Sequence, residues 1–206
     1  DYVVSTTENK TTTYYLVEEH YRIRYTTDRV YLLDYERTMT QIPQVDRMYG
    51  NDKILLGIAD AEVPMLESED GNTVVFEAAG RLFSYDSEDN RLAVIFSFYD
   101  GDNLDARTLY GSHGIKILDV DEGGNVQFAV YGYMNRGRHE GEVGIQLYTY
   151  NSALNTIEEL IYIPYAKTYS VLSAEIDQLL YMNRDQKLYV ELENIVYSID
   201  LTERTY

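Results

Sequence analysis

"VFEAAGRLFSYD", Val75–Asp86, aligns without a gap to "YVELENIVYSID", Tyr189–Asp200. Both stretches carry Glu at the third place (Glu77, Glu191) and Gly80 or Asn194 at the sixth. Gly and Asn tolerate the positive φ of a tight hairpin, so each stretch predicts two antiparallel strands joined by a short turn. The second strand is a phrase: an aliphatic residue, an aromatic, a third residue, an apolar residue, then Asp or Asn. It recurs as "VYLLDY" (Val30–Tyr35) and "LYTYNS" (Leu147–Ser152). "IRYTTDRVYLLD", Ile23–Asp34, extends the match backwards, with Asp28 at the turn position.

The phrases start at 30, 82, 147 and 196, at intervals of 52, 65 and 49 residues. Periods of this size point to propeller blades, each a small sheet that cannot bury both faces alone. Beyond the phrase, "DSEDN" (Asp86–Asn90) and "NSALN" (Asn151–Asn155) open further turns. Before it lie "EDGN" (Glu69–Asn72), "DEGGN" (Asp121–Asn125) and "NRDQ" (Asn183–Gln186). Each unit therefore reads as four short antiparallel strands, and helical patterning is nearly absent. The best helical candidate, Ala153–Leu160, reads better as a turn and a strand.

The expected fold is all-β: a propeller-like array of about four four-stranded blades, approximately 11–46, 53–100, 114–165 and 169–206, in one domain spanning 1–206. The last blade lacks an outer strand, and "DYVV" (Asp1–Val4) has the length to supply it and close a four-bladed ring. The alternative is an arc of a larger propeller. These units resemble the extracellular and lipoprotein-type β-propellers of Gram-positive bacteria. That resemblance implies architecture and a secreted or cell-surface setting, with no catalytic residue to carry over.

Composition narrows the function classes. A formal charge of −18, from 17 basic and 35 acidic residues, disfavours nucleic acid and anionic lipid as partners. No cysteine among 206 residues excludes disulfides, thiol catalysis and thiolate metal sites. Twenty-two tyrosines suit half-buried strands, and they also suit interaction surfaces. The longest apolar run, near Leu92–Tyr99, is far below the ~20 residues of a membrane-spanning helix, so no membrane insertion is expected of this chain. The opening "DYVVSTTENK" reads as a mature or excised fragment, which leaves room for a membrane-anchored parent protein.

The third unit is the longest, and "YGYMNRGRHEGEVG" (Tyr131–Gly144) interrupts it. Asn135, Arg136, Arg138, His139, Glu140 and Glu142 form its polar cluster, flanked by Tyr131 and Tyr133, which would supply stacking area. All of these but Glu142 are the candidate ligand-binding residues, with the arginines as donors to a carboxylate or phosphate. A solvated hairpin whose charges pair with each other is the plainer reading. "DVDEGGN" places Asp119 and Asp121 at the first and third positions of a calcium loop. Gly123 and Val130 offer no side-chain oxygen at the fifth and twelfth places and Gln127 replaces the usual acid at the ninth, so this pair is a weak metal candidate and no metal or cofactor is expected. "DGDNLD" (Asp100–Asp105) is a second acidic loop. Glu77 and Glu191 occupy equivalent positions, which favours a structural role, and His20, His113 and His139 lie far apart in sequence. The expected function is a non-catalytic extracellular binding or scaffold module for a protein or carbohydrate ligand. The alternative is a glycan-directed hydrolase using carboxylates on the propeller face.

Overall fold

The computed structural model describes residues 1–44, 63–99 and 105–205. The chain is all-β in class, with four antiparallel sheets of three or four strands. It divides into two compact units, Asp1–Ala61 and Glu62–Tyr206.

The first unit holds one three-stranded sheet: β1 (Tyr2–Glu8), β2 (Thr11–Tyr25) and β3 (Val30–Gln41), in that order. Residues 2–4 thus belong to β1 and pair with Tyr15–Val17 of β2. Asn9 and Lys10, at φ 50° and 67°, make a two-residue turn that folds β1 straight back onto β2, pairing Tyr2 with Val17. The β2–β3 connection differs from the turn expected at Asp28. A four-residue loop closes instead on Thr26, whose backbone N–H and hydroxyl both donate to the Arg29 carbonyl at 3.0 and 2.9 Å.

In the second unit, β4 (Met65–Glu67), β5 (Thr73–Ala78), β6 (Arg81–Asp86) and β7 (Arg91–Ser97) form one sheet in chain order. A 3-10 turn at Ala106–Leu109 precedes the next sheet, of β8 (His113–Val120), β9 (Val126–Tyr133), β10 (Val143–Asn151) and β11 (Thr156–Pro164). Helix α1 (Tyr169–Gln178) then leads into β12 (Leu180–Met182), β13 (Lys187–Leu192) and β14 (Ile195–Asp200). Among the described residues the first and last sheets hold three strands each, not the four expected of every unit.

The aligned hairpins fold alike. Ala79–Gly80 (φ 52° and 69°) and Glu193–Asn194 (φ 56° and 63°) are equivalent two-residue turns between β5 and β6 and between β13 and β14. The Asp or Asn ending the phrase has a shared task in three of the four copies. Asp86 Oδ1 accepts the backbone N–H groups of Glu88 and Asp89, Asn151 Oδ1 that of Leu154, and Asp200 Oδ1 those of Thr202 and Glu203. Each side chain thus closes the following turn, which ends on a left-handed residue: Asn90, Asn155 or Arg204. Asp34 is the exception. Its carboxylate accepts the next backbone N–H, from Tyr35, and β3 continues through it without turning.

The core of the second unit follows from strand alternation. Along β9, Val126, Phe128 and Val130 face a cluster shared with Val75, Leu82 and Ile95 of the preceding sheet. Ala129 faces the other way, with Ile145 and Leu147, into a cluster shared with Leu188, Val190 and Ile199 of the last sheet. Leu172 and Ile176, four residues apart on α1 and fully buried, complete it. The sheet β8–β11 is therefore covered on both faces. The expectation of almost no helix missed α1.

Candidate functional site

The β9–β10 hairpin is held down along most of its length. Asn135, fully buried, donates from Nδ2 to the Tyr110 carbonyl at 2.8 Å. Tyr133 meets the edge of Tyr110 at 5.0 Å between ring centroids, and Tyr131 stacks on Tyr169 of α1 at 6.2 Å. Glu140 accepts from Arg107 Nη1 at 2.6 Å. Arg107 also grips Asp105 through Nε and Nη2 at 2.9 and 2.6 Å, which pushes that carboxyl down to about 2. His139 Nε2 lies 3.1 Å from Glu159 Oε1, and the imidazole stacks on Tyr162. Glu159 accepts in turn from Gln146 Nε2 at 2.9 Å. Arg136 is half-buried, and its charge helps lower Asp105. Arg138 is exposed. The structure thus gathers the predicted cluster around internal partners and leaves Arg138 as its outward cation.

The acidic loop at 119–125 is a capped turn. Asp121 accepts from the backbone N–H of Asn125 at 2.8 Å with one carboxylate oxygen and from its Nδ2 at 2.9 Å with the other. Asp119 lies at the end of β8, opposite Gln127. Both line a cavity of about 460 Å³ that also takes in Thr149, Glu158 and Gln186. Glu158 is engaged by Arg204 Nη2 at 2.6 Å. Among the described residues no group of three His, Asp or Glu side chains could hold a metal ion. Of the second acidic loop, Asp100–Leu104 lies outside the described residues. Glu77 accepts from the Gly80 backbone N–H at 2.8 Å and so braces its hairpin turn. Among the histidines, His113 is pushed down by burial, with Tyr110 O at 3.2 Å from Nδ1 and Phe98 edge-on at 4.9 Å.

Sequence reasoning missed the surface of the first sheet. On β2 and β3, Glu19, Tyr21, Ile23 and Tyr25 share one face with Arg37, Tyr35, Leu32 and Val30, their cross-strand partners. Tyr35 and Tyr21 donate to the two oxygens of Glu19 at 2.6 and 2.7 Å, Tyr2 adds a bond at 3.1 Å, and Arg37 stands at 3.6 Å. These hydroxyls, Tyr35 first, hold the Glu19 carboxyl below its usual range. The same contact pushes Tyr21 up to about 12. Beyond this cluster the face is apolar and open: Ile23 is 59% exposed, Leu32 60% and Tyr25 76%. The available signal was the cross-strand pairing of "YRIRY" with "VYLLDY".

No helix among the described residues is long and apolar enough to cross a membrane. No family of known proteins matches the chain, and no curated protein is similar to it. Among solved structures, the extracellular domain of a putative one-component system from B. thetaiotaomicron matches over 94% of this chain and 25% of its own, with 13% identity and a TM-score of 0.26. The chain thus spans about a quarter of that domain's length.

Proposed function

We propose that this chain is a non-catalytic binding module, exposed on a bacterial surface or secreted, with blade-like sheets as its scaffold. The sheet succession in the second unit supports the blade reading, since β8–β11 packs between the sheet before it and the sheet after it. The cysteine-free composition is compatible with a bacterial surface protein that avoids thiols.

One observation carries the binding reading: the open apolar face of the β2–β3 hairpin. Exposed aliphatic and tyrosine side chains in one contiguous patch mark interaction surfaces in soluble proteins. The hydroxyls of Tyr2, Tyr21 and Tyr35 are already spent on Glu19, so apart from the Tyr25 hydroxyl the patch offers ring and aliphatic area. That chemistry fits an apolar protein surface better than a glycan, and the acidic chain disfavours an anionic lipid bilayer. The partner is therefore a protein.

The test is a photo-crosslinking amino acid placed at Leu32 and, as a control on the opposite face of β3, at Thr38, in cells of the source organism. A discrete protein adduct from position 32 and none from 38 supports the reading. Equal adducts from both positions, no adduct, or adducts to lipid or glycan alone would overturn it.

A further inference from the structure

The 460 Å³ cavity has an order that the strand register makes visible. Asp119 pairs with Gln127, Gln127 with Thr149, and Thr149 with Glu158. These four residues form one row across β8, β9, β10 and β11, and opposite residues in antiparallel strands project to the same face. With neighbouring strands ~4.8 Å apart, the row runs for about 14 Å. It lies on the face that turns apolar further along, at Ala129 and Leu147. Gln186, from the turn before β13, closes the side: Gln127 Nε2 donates to Gln186 Oε1, which leaves the buried Gln127 Oε1 without a partner. Asn151 and Thr156, paired on the next row, and Leu154 form the exposed rim.

The geometry points to a saccharide-binding site, with a neutral sugar chain of about two residues laid across the four strands. Its length matches the row, and its volume falls in the range of small-ligand pockets, roughly 300–1,000 Å³. The order along the row is acid, amide, hydroxyl, acid, which supplies both donors and acceptors at successive positions. Hydroxyl groups, each donor and acceptor at once, need that mixture. A cation would need acceptors alone, and two of the three lining carboxylates already have partners: Asp121 in Asn125, Glu158 in Arg204. An anion is disfavoured because no basic side chain lines the cavity. Asp119 and the second oxygen of Glu158 stand at opposite ends of the row as acceptors for sugar hydroxyls. The site is carried by residues 119–186 alone, so it stands or falls apart from the protein-docking face.

The experiment is a titration of the isotope-labelled intact chain, followed by its backbone and side-chain amide resonances. The probes are cellobiose, maltose and lactose, with putrescine as the cationic control. At least one disaccharide should saturably shift Gln127, Thr149 and Gln186, and putrescine should not. Thr149→Val removes the central hydroxyl at constant shape and should weaken that sugar about tenfold, as loss of one buried hydrogen bond does. Glu158→Gln, at an exposed position, is the second variant and should weaken it with the melting temperature unchanged. Three results would overturn the assignment: no shift from any of the three sugars, shifts from putrescine at the same residues, or sugar affinity unaffected by both substitutions.

Discussion

The imidazole of His139 lies nearly parallel to the Tyr162 ring, 3.7 Å between centroids and 12° apart. This stack, with the bond to Glu159, fastens the tip of the β9–β10 hairpin to β11. His139→Ala should therefore cost about 1–2 kcal/mol, the sum expected for one aromatic contact and one hydrogen bond. Arg138→Ala, one residue away and pointing outward, should change stability by less than about 0.5 kcal/mol. Thermal or urea melts of the two variants check the contrast, and equal effects would mean that the hairpin is not held by this stack.

Gly132 sits at φ 115°, and a Cβ there would stand 2.5 Å from the Ser112 carbonyl oxygen and 2.8 Å from His113 Cα. Both atoms are backbone, fixed by the β8–β9 ladder, and Ser112 O also accepts from Tyr133 N at 2.7 Å. Gly132→Ala should destabilise by about 3 kcal/mol through strain and overpacking together. Gly137→Ala meets no atom within 4 Å and bears only the cost of its positive φ, about 1 kcal/mol. A denaturation midpoint for Gly132→Ala equal to that of Gly137→Ala would contradict the close approach.

Ala79 occupies the first left-handed place of the β5–β6 turn, at φ 52°, where Asn is far better suited. Ala79→Asn creates an Asn-Gly turn and should stabilise by up to about 1 kcal/mol. A rise in melting temperature is the expected readout, and a fall would mean that the half-buried methyl matters more than the turn.

Titration should perturb the protein at both ends of the pH scale. Asp105 sits at about 2, held there by Arg107, against an ordinary value near 4. Its contribution is complete above about pH 4 and disappears as pH falls through about 2. Tyr21 moves the other way, up to about 12 on account of Glu19, against an ordinary value near 10. Its contribution is complete below about pH 10 and disappears as pH rises through about 12. Tyr21 is exposed and Asp105 half-buried, so salt should weaken both effects, that at Asp105 less than that at Tyr21. Carboxyl-carbon chemical shifts report the first and tyrosinate absorbance the second. In Glu19→Gln the Tyr21 transition should fall back towards its ordinary value, and an unchanged transition would disprove the attribution.

The local punctuation was legible in the sequence, because turns are decided by a few residues. Gly80 and Asn194 take the positive φ that their types permit, and Asn151–Thr156 is a turn into a strand. Asp28 does lie in the β2–β3 turn, but that loop is four residues long and closes through the Thr26 hydroxyl, a local choice the alignment did not show. The helix failed because it lies inside the span assigned to a repeat. Leu172 and Ile176 at four-residue spacing after Thr168 were its signal, weakened by β-branched and aromatic neighbours. The fate of the repeated phrase was not legible. "LFSYDS" is buried at Leu82 and Phe83, whereas "VYLLDY" is exposed throughout, and burial depends on what packs against a strand rather than on the strand itself. The candidate hairpin was found as an interruption, but its internal partners, such as Asn135 with Tyr110, come from distant sequence. The row from Asp119 to Glu158 spans four strands and exists only once they are paired.

Every sheet is assembled from strands that follow one another in the chain, with Glu8 paired to Thr11, Ala78 to Arg81 and Leu192 to Ile195. Such pairings close short loops and keep contact order low for an all-β protein, so each sheet should form in about milliseconds. Ribosomes add about 5–20 residues per second, so one repeat of some 50 residues takes several seconds to emerge. Each sheet can therefore be zipped before the next is synthesised, and among the described residues no paired strand waits for a partner from the far end of the chain.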